Sequence, residues 1–372
     1  MKQILLAIFI VLAYNLNSFA IDEIELEKQE INLDYFSDVY YGKIDNDENI
    51  SPILKLFSKN GLEFENSPIS SVKLHFLYDG QFSFTSMSHY STHFKHDFVT
   101  VEPMISAKFN EGRSQFMFDY NLLRDLPNYS NSFSEKISRL YFSHKLSDNQ
   151  TILLGQGDRL PNSYDGSRSV MSQEMILKSQ LGRTFGEARS VGIRNIAKYK
   201  YIDYDFGLYD STRYMKDFGN GVDFTGYIML KPLENIKEKI GNFKIGSGYS
   251  VGKNNISYNT YSFFAGYDYK NFHMHSEYAN ADGYNGIIAS NKNSDGLYTL
   301  VSYNITPNVT LLARYDYFTP DKNLSSSYCQ EYSAGITYNL FKNMKFMFNY
   351  VNRNYADKPD SNMILFATRF FI

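Results

Sequence analysis

The 372-residue chain sets 37 Lys+Arg against 40 Asp+Glu, a formal charge of −3 that gives no global ground for nucleic-acid binding. Tyr (32) and Phe (30) bring the aromatic content to 17%, which excludes a disordered chain, although Trp is absent and hydrophobic residues make up only 43%. The single cysteine, Cys329, excludes an internal disulfide framework and a multi-cysteine zinc or iron–sulfur site.

Met1 and Lys2 precede an apolar run over 4–13, and Ser18-Phe19-Ala20 places small residues where signal peptidase cuts. Residues 1–20 therefore read as a cleaved secretory signal, the run being too short to span a bilayer. Over 22–48 ten acids face only Lys28 and Lys43. Residues 21–69 are expected to form an acidic, solvated periplasmic extension. Beyond residue 20 no apolar run approaches the roughly 20 residues of a spanning helix.

From about residue 70 the chain alternates apolar and polar positions with period two, the mark of strands with one wet and one apolar face. Met344, Phe346, Phe348 and Tyr350, for example, make one face of a segment whose other face carries Lys345, Asn349 and Arg353. Turn residues at 110–112, 147–149, 198–200, 270–271, 306–308 and 342–343 divide the chain. The spacing predicts strands at 70–87, 97–109, 113–124, 136–146, 150–159, 188–198, 201–210, 223–231, 243–251, 256–269, 272–280, 296–305, 309–318, 329–341, 344–355 and 362–372. Two places fit less neatly: 232–242 is long for an inner turn, and Asp79-Gly80 is a possible hairpin.

These strands are near the roughly 9–11 residues that cross a membrane, tyrosines crowd their ends, and a signal precedes them. An open sheet in lipid would leave edge N–H and C=O groups unpaired at several kcal/mol each, so it must close. The expected fold is all-β: a transmembrane up-and-down antiparallel β-barrel of about 16 strands over 70–372, with both termini periplasmic. The longest outer connection, the third, at 160–187, is long enough to fold inward and narrow a water-filled lumen.

Thr151-Ile152-Leu153-Leu154-Gly155-Gln156-Gly157-Asp158-Arg159-Leu160-Pro161, then Tyr164, Ser167-Arg168-Ser169 and Arg189-Ser190-Val191-Gly192-Ile193, resemble the strand, constriction loop and returning strand of the phosphate-selective porin O/P family. Leu312-Ala313-Arg314-Tyr315-Asp316-Tyr317 and Tyr332-Ser333-Ala334-Gly335-Ile336-Thr337-Tyr338 resemble its closing strands. The resemblance implies a sixteen-stranded, usually trimeric outer-membrane channel biased toward anions such as phosphate, without a cofactor. The chain departs from it in ending on Ile372 and in a charge-balanced third loop, where Arg168, Lys178 and Arg183 oppose Asp165, Glu174 and Glu187.

With the more polar face of each strand turned inward, the lumen receives Lys73, Lys108, Arg139, Lys145, Arg194, Lys198, Lys231, Lys244, Arg314, Lys345, Arg353 and Arg369. The acids on those faces are Glu102, Asp119, Asp203, Asp205, Glu277 and Asp316. The candidate pore-lining, anion-binding residues are Arg139, Arg168, Arg183, Arg194, Arg314, Lys345 and Arg369. Their charge would be focused by low-dielectric walls, and a guanidinium fork matches oxyanions. The alternative is that these groups are the wet side of a wall, paired across strands, in a structural or adhesive barrel without selective transport.

No metal site or enzyme is expected. His89, His93 and His96 have ligand-like spacing but no evident carboxylate or thiol partner, and His273, His275 and Glu277 share a face without an identifiable nucleophile. Gly155-x-Gly157 is better explained by crowding at the wall than by phosphate binding.

Overall fold

The computed structural model describes residues 55–57, 61–64, 67–87, 93–124, 132–216, 218–324 and 327–372. The expected signal at 1–20, the expected acidic arm at 22–48 and His89 lie outside the described residues.

Sixteen antiparallel strands run in chain order: β1 Ile69–Met87, β2 His93–Phe109, β3 Ser114–Tyr120, β4 Ile137–Ser147, β5 Gln150–Gln156 and β6 Val191–Lys198. They continue as β7 Ile202–Asp210, β8 Val222–Leu230, β9 Asn242–Asn254, β10 Ile256–Tyr269 and β11 Phe272–Asn285. The last five are β12 Ala289–Thr306, β13 Val309–Thr319, β14 Cys329–Phe341, β15 Met344–Tyr355 and β16 Ser361–Phe371. Each pairs with its neighbours, and β16 closes on β1 from Ser361↔Met87 to Phe371↔Leu77. The sheet is a closed barrel, which leaves no lipid-facing edge to satisfy.

Below that seam β1 overhangs the end of the chain. Its free edge is covered by the strand Leu62–Glu63, which pairs with Val72 and Ser71, and by Leu56, whose carbonyl accepts from the Leu74 N–H at 2.8 Å. The edge is thus capped by the segment that leads into the barrel.

The faces divide as the alternation predicts. Leu154, Ile193 and Leu208, on three adjacent strands, are 57–58% exposed, whereas Glu331, Arg369 and Asp316 are at most 1% exposed. Apolar groups thus point outward and charged groups inward, the reverse of a soluble protein. Short connections alternate with longer ones. The 231–241 turn is filled by a helical turn, Lys237–Ile240, and Asp79-Gly80 is a register shift against β2 rather than a hairpin.

Two departures from the sequence expectation have one cause. The predicted loop over 281–295 is strand except at 286–288, carried on by β11 and β12 through a bulge between Asp282 and Tyr284, and β9 extends to Asn254. These extensions rise among polar residues such as Asn254, Asn285, Asn291 and Lys292, so no apolar face records them. Gly155 has φ +122° and faces Gly192 across the β5–β6 pair. A Cβ at Gly155 would come within 2.3 Å of the Leu140 carbonyl oxygen, so crowding at the wall requires glycine there.

Candidate functional site

Residues 157–190, between β5 and β6, make up the third outer connection, and their contacts run along the inner faces of β10, β11 and β13 to β16. Two short helical turns lie in this loop, Tyr164–Ser167 and Gly182–Gly186. They meet where Gly166 and Gly186 pass each other so closely that a Cβ on Gly186 would lie 2.5 Å from the Gly166 Cα. The first turn begins on Glu277 of β11, whose carboxylate accepts from the Tyr164 N–H at 2.8 Å, the Asp165 N–H and the Ser163 hydroxyl. A carboxylate at the start of a helical turn takes up donors the turn itself cannot pair.

Apolar patches seat the same loop. Met175, Leu181 and Phe185 pack on Ala279, Ala281, Tyr298, Leu300, Leu312 and Phe318, while Ile176 packs on Met347, Val351, Met363, Leu365 and Ala367. Complete burial of a Leu or Phe contributes about 1.5–3 kcal/mol each.

The stretch 170–177 is irregular, so its carbonyls need partners from elsewhere. They find basic side chains. Lys345 donates to the Met171 and Gln173 carbonyls at 2.7 and 2.6 Å, and Arg369 to those of Val170 and Ile176 at 3.1 and 2.8 Å. Arg314 holds the Leu177 carbonyl at 2.8 Å, Arg168 that of Ser172, and the Thr337 hydroxyl that of Glu174. Asn349 accepts from the Ile176 N–H at 2.7 Å. Four of the seven candidate residues, Arg168, Arg314, Lys345 and Arg369, therefore direct donors at the loop backbone.

Carboxylates engage most of what remains. Arg369 pairs with Asp79 at 3.1 Å, and Arg168 with Glu174 at 3.4 Å. Glu331, fully buried, is shared by Arg314, by Arg353 at 2.6 Å and by Arg183 at 3.2 Å. Arg139 pairs with Asp119 at 2.8 Å and Asp158 at 3.3 Å, and Arg194 forks onto both oxygens of Asp205. Asp79, Asp223, Asp268 and Glu331 also occupy inner faces, beyond the six acids expected from the sequence. The excess of basic charge is correspondingly smaller than the sequence suggests.

Another set of cations stands at the roots of the third loop. Arg159 donates only to the Arg168 carbonyl, at 3.2 Å, and Arg189 is 95% buried with Nη1 unbonded. Neither has a carboxylate within 4 Å among the described residues. With Arg124, Arg139 and Arg194 they make five arginines against Glu102, Asp119, Asp158 and Asp205. Arg124 contacts Glu102 at 3.7 Å and lies over the Tyr214 ring at 4.6 Å. The protein around the partly exposed Asp158 carboxyl tends to raise it, but Arg139, Arg189, Arg194 and Arg159 hold it below the usual carboxylate range. Arg124, Arg159 and Arg189 fall at the ends of the expected strands 113–124, 150–159 and 188–198, but the observed strands stop at Tyr120 and Gln156 and begin at Val191, so each lies in a connection where the two-residue period does not place it.

The histidines are accounted for locally. His93 and His96 are three apart on one strand and so project from opposite faces. His273 bonds Asp268 at 3.0 Å and Asn304 at 3.2 Å, while His275 lies edge-on to Tyr298. Cys329 is a buried free thiol at the start of β14.

No family model matches this chain, and no curated relative is found by sequence. Solved structures share its fold. An anion-selective porin from Comamonas acidovorans superposes with TM-score 0.61 at 12% identity, covering 81% of this chain and 99% of its own. The outer-membrane OmpT of Vibrio cholerae gives 0.55 at 9% identity, covering 83% and 100%. The outer-membrane channel DcaP of Acinetobacter baumannii gives 0.53 at 13%, covering 83% and 99%. The chain has the fold of outer-membrane porins.

Proposed function

We propose that the protein is an outer-membrane porin, a water-filled channel for passive diffusion of small solutes with a preference for anions. The observation that carries this reading is the pair Arg159 and Arg189 at the two ends of the inward loop, neither held by a carboxylate. A guanidinium stays charged at physiological pH and presents donors in a fork, so an anion passing the loop roots can exchange water for these donors. Binding there stays modest because Asp158 and Glu102 lie in the same cluster. Small oxyanions such as phosphate are the proposed solutes. Arg139, Arg183 and Arg194 are proposed to line their route, while Arg168, Arg314, Lys345 and Arg369 shape it by fixing the loop. An exported homotrimer in the outer membrane accords with the OmpT neighbour that is described in a trimer form.

The test is the reversal potential of the purified protein in a planar bilayer under a potassium chloride gradient. Anion preference is expected at low salt, weakening as added salt screens the fixed charges. Preference for cations at low salt would overturn the reading, and absence of any conductance would favour a structural barrel.

A further inference from the structure

The carboxylates near the loop roots are not alike. Asp205 has both oxygens in the Arg194 fork, and Asp119 is fully buried against Arg139. Glu102 is buried, accepting from Ser138 at 2.7 Å and facing Arg124. Asp158 differs from all three. It stands two residues beyond the end of β5, its side chain is 55% exposed, and its one contact is the 3.3 Å approach to the Arg139 Nη1. Four arginines nevertheless act on it, Arg139, Arg189, Arg194 and Arg159, and the Arg194 Nη1 also reaches the Asp158 backbone carbonyl at 3.4 Å.

A water-exposed carboxylate on a short tether, in reach of Arg139 and in the field of Arg159 and Arg189, which have no carboxylate within 4 Å among the described residues, occupies the place an anionic solute would take. We propose that Asp158 is a tethered counter-ion that competes with passing anions for the Arg139, Arg159 and Arg189 guanidinium groups, and so sets both the strength of anion preference and the residence time of oxyanions. An entering oxyanion displaces the carboxylate from Arg139 into lumenal water. The carboxylate then returns and speeds the ion's departure. Transport needs such weak occupancy, since a solute held by several unopposed arginines would block the channel. The inference rests on the channel reading above and assigns the residue that limits its selectivity.

The experiment compares the parent with Asp158→Asn and Asp158→Glu in planar bilayers, reading the chloride-to-potassium permeability ratio and the phosphate concentration that halves chloride conductance. Removing one charge about 5 Å from the competing ion is expected to lower that concentration roughly three- to tenfold in Asp158→Asn, with a higher permeability ratio. Asp158→Glu is expected to stay near the parent. A second arm avoids any dependence on folding. In a Cys329→Ser background, Asp158→Cys is modified in the open channel with a sulfonatoethyl or a trimethylammonioethyl methanethiosulfonate. The anionic adduct should restore parental selectivity, and the cationic one should exceed Asp158→Asn. If Asp158→Asn matches the parent in both readouts and the two adducts do not differ, the proposal is overturned. A parent that prefers cations while the Asp158 variants still shift toward anions would sink the channel's anion preference and leave the role of Asp158 standing.

Discussion

Glu331→Gln is the perturbation that most directly tests how the loop is held. Glu331 sits on β14 with no exposed surface and accepts from guanidinium groups of β13, β15 and the inward loop, with Arg353 at 2.6 Å and Arg183 at 3.2 Å. The amide keeps the shape and one acceptor but removes the charge, leaving three arginines converging on a neutral group. Removing one partner of a buried ion pair costs about 3–5 kcal/mol. Arg183 and Arg353 keep partial access to water, so the low end, about 3 kcal/mol, is expected here. The assay is reversible urea unfolding from lipid vesicles, followed by far-ultraviolet circular dichroism, since the chain has no tryptophan to report by fluorescence. Current noise should rise as well, because Arg183 belongs to the loop and loses its anchor. A loss below about 1 kcal/mol, the range of exposed pairs, would show that Glu331 is an ordinary wet-wall acid and that the loop is held by other contacts.

Two further perturbations separate loop support from solute contact. Gly186→Val should prevent the loop from closing on itself, since the added carbon would meet the Gly166 Cα at 2.5 Å, and should raise single-channel conductance while the barrel still shows a β-type dichroism spectrum. Helical dichroism in that variant would instead implicate the whole fold. Arg194→Ala should weaken phosphate block by roughly threefold or more because it uncovers the Asp205 charge beside the proposed route, and Arg168→Ala should weaken it less because Arg168 holds the loop backbone at Ser172 and is not proposed to line that route. Lys322→Ala, in the exposed connection after β13, should leave block unchanged; equal half-blocking concentrations in all three variants and the parent would remove Arg168 and Arg194 from the solute path.

The barrel was legible because lipid imposes a rule on every second residue. Leu154, Ile193 and Leu208 point outward whatever their neighbours do, so period two reveals their strands. Where β11 and β12 run on through Asp282, Asn285 and Asn291, polar residues stand on both faces and the rule lapses, which is why that stretch reads as a loop. The bulge at Asp79-Gly80 shows the same limit from another side. Its two residues have turn chemistry, yet the register shift keeps β1 in one piece.

Partners are harder to read than faces. Alternation places Arg314 and Lys345 on the inner wall, but nothing in their spacing reveals that both reach the backbone at 171–177, more than 130 residues away in sequence. The physical reason lies in the inversion of the barrel. Its apolar surface faces mainly outward, and beyond the apolar patches under Met175, Ile176, Leu181 and Phe185 an irregular loop inside it must be secured through its carbonyls. Arg and Lys are the side chains long enough, and rich enough in donors, to cap several carbonyls from one wall position. A porin with a tightly seated loop therefore accumulates inward basic residues for structural reasons before any selection for anions. Counting inward charge overstates selectivity by that share. On the proposed reading, what bears on the passing ion is the remainder, led by Arg159 and Arg189 at the loop roots and opposed by the exposed carboxylate of Asp158.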